Sequence, residues 1–534
     1  MAKRVAVIGG GCSGLAAIKC CLDEGLEPVC FERTDELGGL WHYTEQVKDG
    51  QACVMRSTVI NTSKEMMCYS DYPIPKEYPN FMHNTYVWQY FQDYAKHFGL
   101  TDYIRYNMEV VSVKRAPDFL ESGRWLIDTR DHKTGDTSRE TFDAVMVCTG
   151  HHADKNVPHF AGLSDFQGKV QHSHDYRTAQ GLEDKRVVVV GLGNSGVDLA
   201  VELSKVSKQV YLSTRRGGWI FNRVDEGSGL PFDLTFSGRL FSTIQSFLPF
   251  WLVQQIVMAK LNRKFDHYLY RLAPEDPPLS QHPVVNDDLP NAIITGRVKV
   301  MADIKKFTSH GVEFVDGSAE DNIDAVLLAT GYIFGFPFVE KEVIDVQQNR
   351  LPLFKFCFPP DLQHNTIAFI GCFQPLGAIM PAAELQCRLA ARVFKGEAKL
   401  PSRSEMWEDI RKKEAAMAQR YVHTQRHTIQ VDWVPFMDEL ANLIGCKPQI
   451  GSLFLSDPKL AWTVLMGPVT PYTYRLHGPG SWAGAREAVL TTMDRVRFPF
   501  STKPVPRRFD ANLRLLAHLL AIAVVIILML FIFL

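Results

Sequence analysis

Two glycine-rich segments of this chain have the spacing that lets a backbone cradle a pyrophosphate: Gly9-Gly10-Gly11-Cys12-Ser13-Gly14 and Gly191-Leu192-Gly193-Asn194-Ser195-Gly196. In such a G-x-G-x-x-G segment the first glycine makes a tight turn and the second lets phosphates approach the chain. The third lets the following helix pack close, so that its positive N-terminus faces the anion. One such segment is weak evidence. Two, each after a run of apolar residues (Val5–Ile8, Val187–Val190) and each opening a helical stretch, are far more specific. The ends of the next strands separate the two sites. Glu32 lies 23 residues after Gly9, where a carboxylate accepts hydrogen bonds from both ribose hydroxyls, which suits the bare ribose of FAD. The matching stretch in the second unit, Ser213-Thr214-Arg215-Arg216, has no acid. Hydroxyls and guanidinium groups suit a 2′-phosphate and so NADPH.

Two nucleotide sites in one chain imply a flavin reduced by NADPH, and the residues constrain where the electrons go next. A disulfide reductase needs a redox cysteine pair; the eleven cysteines contain no C-x-x-C, and no Cys/His cluster has zinc spacing, so no metal is expected. Most cysteines sit beside Val, Ile or Phe and read as reduced, buried and cytosolic. Electron transfer to a quinone leaves no local motif and stays open. Oxygen activation needs a dry pocket and a hydrogen-bonding group near the reactive edge of the flavin. Asn61, in Val-Ile-Asn-Thr-Ser, is the candidate for that group; its plainer reading is a turn asparagine.

The elements that must position these residues follow from an internal echo. Each glycine segment is followed by a helical stretch and a second strand, Pro28–Glu32 and Gln209–Thr214, an order that implies parallel sheets with right-handed crossovers. Asp143-Ala-Val-Met-Val-Cys-Thr-Gly150 and Asp324-Ala-Val-Leu-Leu-Ala-Thr-Gly331 form a second matched pair. The fold class is therefore α/β, with two Rossmann-like dinucleotide-binding domains, the NADPH domain nested in the FAD domain. The expected division is 1–153 (FAD, first part), 154–331 (NADPH, with an inserted helical segment at 217–295), 332–445 (FAD, return part), 446–510 of no assigned role, and 511–534 as a membrane anchor. Within the insert, Arg239–Leu261 is apolar but broken by Pro249 and reads as ordinary helical core in preference to a segment on a membrane or along a substrate path. His282, in a Pro-rich loop, is a candidate substrate-side group, though structural roles are commoner for such a residue.

Leu515–Leu534 is a run of 20 residues with His518 as its only ionisable side chain, long enough as a helix to cross a bilayer. Lys503, Arg507, Arg508 and Arg514 precede it, which keeps the globular part in the cytosol. Across all 534 residues, 58 basic and 59 acidic residues give a net charge of −1, which argues against a nucleic-acid partner.

With these residues in hand, the chain resembles the vertebrate microsomal flavin-containing monooxygenases over essentially its whole length. The carrying motifs are Gly9–Gly14, Glu32–Trp41, Asn61-Thr-Ser-Lys-Glu-Met-Met, Gly191–Gly196 and Ala329-Thr-Gly-Tyr332. Phe166–Arg177 looks like the family's signature stretch and departs from it where Arg177 replaces the usual Lys. Ser213-Thr-Arg-Arg-Gly, Leu279–Pro283 with Asn286–Pro290, and Gln425–Gln430 look most like the family's fifth mammalian form, whereas Glu384–Leu389 is divergent and fits a separate paralogue equally. The resemblance implies that Gly9, Gly10, Gly11, Cys12, Ser13, Glu32, Leu40, Trp41, Asn61 and Thr62 contact FAD. It implies that Ile60, Asn61, Ser195, Gly196, Val197 and Asp198 contact NADP, with Thr214 and Arg215 near its 2′-phosphate. The implied cycle is reduction by NADPH, addition of O2 to give a C4a-hydroperoxyflavin, and oxygen transfer to a small lipophilic amine, sulfide or ketone, in metabolism of the xenobiotic type. It also implies the endoplasmic reticulum membrane as location; oligomeric state is left open. Two other readings stand beside it: an NADPH oxidase that releases hydrogen peroxide, and a catalytically silent membrane-tethered nucleotide-binding protein.

Overall fold

Short, wholly apolar strands need cover on both faces, which a doubly wound parallel sheet provides. The computed structural model describes residues 2–422 and 427–504 and contains two such five-stranded sheets. In chain order their strands are β1 (Arg4–Ile8), β2 (Glu27–Glu32), β3 (Ile104–Tyr106), β4 (Ala144–Val147), β5 (Lys169–His172), β6 (Arg186–Val190), β7 (Gln209–Ser213), β8 (Val298–Met301), β9 (Ala325–Leu328) and β10 (Ile367–Phe369). The first sheet has the order β10-β4-β1-β2-β3 and the second β8-β7-β6-β9-β5, with every pairing parallel. Strands β5 to β9 all fall between β4 and β10 in the chain, so the second sheet is built from an excursion out of the first.

The echo seen in the sequence is an echo in space. Ile8 pairs with Phe31 and Val147, and Val190 pairs with Ser213 and Leu328. Asp143 accepts the Arg4 N–H at 2.8 Å, and Asp324 accepts the Arg186 N–H at 2.8 Å. Each aspartate satisfies the donor that opens a central strand, which fixes the start of β1 and β6 and hence the position of the turn that follows.

After those turns come α1 (Cys12–Asp23) and α2 (Asn194–Leu203). Leu15 and Ile18 of α1 are fully enclosed, each contributing about 1.5–3 kcal/mol of burial that presses the helix onto the sheet. The insert supplies α3 (Arg239–Phe247) and α4 (Phe250–Lys264), with Pro249 breaking the helix between them. The expectation of ordinary core is corrected here. Helix α4 buries only Val253, Gln254, Val257 and Leu261, one face at helical spacing, while Trp251 is 64% exposed and Phe247 83%. Two helices with no third layer above them can cover only one face each.

Further along, α5 (Ile379–Lys395) packs against α1, and α6 (Pro458–Met466) packs against α3. The region after 446, left without a role by the sequence, is tied to the first sheet by buried ions. Arg475 Nη2 lies 2.7 Å from Glu384 of α5 and 2.9 Å from Asp71, which also takes Lys19 of α1. All eleven cysteines are free, and all but Cys12 and Cys53 are buried. Among the described residues no helix is long and apolar enough to cross a membrane; the expected C-terminal span at 511–534 lies outside the described residues.

Candidate active site

Both glycine turns are made in the way their spacing requires. Gly9 has φ +102° and Gly191 φ +112°, a backbone region that side chains rarely tolerate. A Cβ on Gly9 would come 2.8 Å from the Cys148 carbonyl oxygen, and one on Gly191 would come 2.5 Å from that of Ala329. A Cβ on Gly14 or Gly196 would sit 1.9 Å from the carbonyl oxygen of Gly9 or Gly191, so the helices approach their turns as only glycine permits. Gly193, with φ −107° and ψ −179°, caps α2 in extended backbone. The first N–H groups of α1 and α2 are thereby presented at the turns, where a phosphate would find them.

Glu32 ends β2 against the first turn. Its Oε2 accepts the Gly10 N–H at 2.6 Å and its Oε1 the Thr34 N–H at 2.9 Å. Oε1 also accepts the Thr34 hydroxyl at 2.8 Å, so of a carboxylate's roughly four lone-pair sites about one remains for a ribose hydroxyl. Leu40 and Trp41 lie on a short turn held over the same glycines, with Gly38 donating to the Gly10 carbonyl at 3.0 Å and Trp41 to Gly38 at 3.2 Å. Cys12 and Ser13 open α1; the Cys12 carbonyl accepts the Tyr69 hydroxyl, and Ser13 packs against Gly371. In the second unit, Thr214 binds back to Met301 through its N–H, and its hydroxyl accepts the Gly217 N–H. Arg215 and Arg216 are exposed and make no ion pair among the described residues, which leaves both guanidinium groups available to an anion. These features fit one dinucleotide at each turn, with a phosphorylated ribose at the second.

The two units meet at Asn61. Ile60 donates to Met82 and Thr58 accepts from Asn84, which seats the 58–60 stretch beside 82–84. Arg223, from the insert, donates through Nη2 to Asn61 Oδ1 at 2.6 Å and pairs through Nη1 with Asp287 at 3.3 Å. Next to Asp287, Asn286 donates to Asp198 of α2 at 3.0 Å. Burial raises the Asp198 carboxyl to about 6, against the opposing pull of Arg223 and Asn286. A polar chain therefore runs from the helix behind the second glycine turn to the Asn61 amide. Thr62 follows Asn61 at the same depth. Ser195 and Gly196 stay at the turn. Val197 does not line it: its side chain is fully buried in the core, and its N–H donates to Gly193, so it supports the turn from beneath.

Arg223, Asn286 and Asp287 were not singled out as site residues from the sequence. The available signal was a lone arginine inside the aromatic stretch Trp219–Phe236, since a cation in apolar surroundings needs a partner. His282 is engaged by its neighbours, with Nδ1 3.1 Å from Gln430 Oε1. Arg177, the departure in the signature stretch, is buried and donates to the carbonyls of Thr44 and His174 at 2.7 Å each.

The model of the flavin-binding monooxygenase-like family matches residues 2–534. The chain belongs to that family. Rat flavin-containing monooxygenase 5 (Rattus norvegicus) is 52% identical, with 98% of each chain covered. Mouse (Mus musculus) dimethylaniline monooxygenase [N-oxide-forming] 2 is 45% identical over 99% of this chain and 98% of its own length. Among solved structures, the S-allyl-L-cysteine S-oxygenase of Allium sativum superposes with a TM-score of 0.63 at 24% identity, covering 92% of this chain and 99% of that one. FAD and NADPH are the cofactors of the family, and the two turns described above meet the demands of both.

Proposed function

We propose that this flavin monooxygenase oxygenates small lipophilic soft nucleophiles (amine nitrogen and sulfide sulfur), and ketones as a second class, with the Asn61 amide as the group that steadies the reacting oxygen. When bound, FAD supplies the redox chemistry, taking two electrons from NADPH and activating O2. The reading is carried by the orientation of Asn61. A guanidinium can only donate, so the contact with Arg223 fixes the amide oxygen on that side and leaves the NH2 group as a donor with no partner among the described residues. A donor fixed before reaction stabilises negative charge on oxygen without reorganising.

In this reading Gly9 to Gly14, Glu32, Leu40, Trp41 and Thr62 hold FAD. Gly191, Gly193, Ser195, Gly196, Asp198 and Ile60 serve NADPH, Val197 supports them from the core, and Thr214 with Arg215 takes the 2′-phosphate. The division of the chain at 153, 331, 445 and 510 is part of the same proposal, supported by the strand order.

We also infer residence at the endoplasmic reticulum membrane with the catalytic part on the cytosolic face. The apolar run 515–534 and its basic flank support this. So do the exposed apolar side chains of the insert and the C-terminal region, among them Phe247, Trp251, Ile256, Leu455, Trp462 and Phe500.

The experiment is a stopped-flow absorbance measurement of reduced, NADP⁺-bound enzyme mixed with O2, with product and peroxide counted per NADPH. A long-lived flavin transient and product formation are expected, and Asn61→Ala shortens the transient and shifts yield to peroxide. Near-stoichiometric peroxide from the unaltered enzyme with amine, sulfide and ketone alike refutes the proposal.

A further inference from the structure

The insert touches the Asn61 turn at a second point, through a side chain that no motif marked. Asp233, in the short helix Phe232–Phe236, accepts the Ser63 backbone N–H on Oδ2 at 2.6 Å. Its Oδ1 is shielded from solvent and has no hydrogen-bond partner; the hydroxyl of Ser63, beside the same carboxyl, is also buried and unbonded. The nearby charges are committed elsewhere. Arg223 faces Asn61 and Asp287, Lys64 donates to the carbonyls of Lys76 and Tyr78, and Asp225 is paired with Lys260. A carboxyl left without a cation in such a place is costly as a structural filler.

We propose that Asp233 is a positioning residue for Asn61: its carboxyl holds the Ser63 N–H and, together with Arg223, clamps the Asn61-Thr62-Ser63 turn to the insert at two points. This rests on the reading of Asn61 given above. The hydrogen bonds to Met82 and Asn84 place residues 58–60, but the last step to the amide is set by the insert. The two contacts are complementary. Arg223 fixes which way the amide faces, and Asp233 fixes the backbone two residues on, so the turn cannot pivot about its single side-chain contact.

Burial raises the Asp233 carboxyl to about 6, and the dipoles of Ser63 and of the helix start beside it only partly offset this. An ionised carboxylate is the stronger acceptor, so the clamp tightens as the proton leaves. The yield of product per NADPH is therefore expected to rise with pH through about 6. The linkage to stability has the opposite sense. A carboxyl raised above its unfolded value stabilises the fold while protonated, and that contribution is lost as pH climbs toward the folded value.

The test compares Asp233→Ala, Asp233→Asn and Asn61→Ala with the unaltered holoenzyme, reading product against peroxide from pH 5 to 8. It also reads unfolding midpoints over the same range, a measurement that needs no turnover. Asp233→Ala leaves the Ser63 donor unsatisfied, and the product-to-peroxide ratio is expected to fall about tenfold. Asp233→Asn keeps an acceptor but cannot ionise, so it stays at the coupling the unaltered enzyme shows at low pH and loses the rise near pH 6; its stability gains on the unaltered enzyme as pH rises to that point. If Asn61→Ala uncouples and Asp233→Ala does not, the clamp is overturned while the reading of Asn61 stands. If Asn61→Ala leaves coupling unchanged, that reading falls and the clamp with it. Should Asp233→Ala fail to fold, Asp233→Asn decides alone: an unaltered pH profile overturns the proposal.

Discussion

Replacing Arg215 by alanine isolates the selectivity of the second nucleotide site, because the structure gives that side chain nothing else to do. It is exposed, makes no ion pair among the described residues, and follows Thr214 at the end of β7, where a ribose 2′-substituent would lie. Removing it leaves no buried group unpaired, so Tm is expected to stay unchanged. What is lost is a charge-assisted hydrogen bond to phosphate, and KM for NADPH is expected to rise by about 10- to 150-fold. NADH has no 2′-phosphate, so its KM should be unaffected, and kcat at saturating NADPH should hold, because the phosphate is remote from hydride transfer. The assay is steady-state oxidation of each nucleotide with a sulfide substrate, with flavin content checked by absorbance. Arg215→Ala combined with Arg216→Ala tests whether the neighbouring guanidinium shares the load. Equal shifts in KM for NADPH and NADH would refute the selectivity argument, because they would show a general defect of the site. No shift for either nucleotide in the double variant would refute it as well.

Two more outcomes follow from the packing. Gly196→Ala places a methyl 1.9 Å from the Gly191 carbonyl oxygen, a backbone atom that cannot step aside. The purified variant is expected to keep its yellow flavin, held at the other turn, while its reduction by NADPH in stopped flow slows at least tenfold; Gly14→Ala should instead be purified without flavin. Arg475→Met leaves Glu384 and Asp71 as buried carboxylates with a partner removed, at a cost of about 3–5 kcal/mol. Urea unfolding monitored by tryptophan fluorescence measures it, and a loss below about 1 kcal/mol would show that the cluster does not fasten the C-terminal region.

The first sheet, the second sheet and their turns were legible because their determinants are local. A run of apolar residues, a glycine at positive φ and a helix start lie within a dozen positions of one another, so Gly9–Gly14 and Gly191–Gly196 reveal themselves without any distant contact. Even the duplicated Asp143 and Asp324 could be read as a repeat, although the strand donors they satisfy could not. The insert was read least well. Arg239–Leu261 read as helical core broken at Pro249, but whether a helix lies in the core or at the surface depends on how many layers cover it, which no window of sequence contains.

The sequence by itself pointed to two dinucleotide sites, to the ribose expected at each, and to a chain without a C-x-x-C motif. Those facts depend on residue type at fixed spacing. Only the tertiary structure brought Arg223 and Asp233, about 160 and 170 residues away in the chain, into hydrogen bonds with the Asn61 amide and the Ser63 N–H. Hydrogen bonds act over about 3 Å of space and take no account of chain separation, so partners that far apart in the chain become visible only when the fold brings them together.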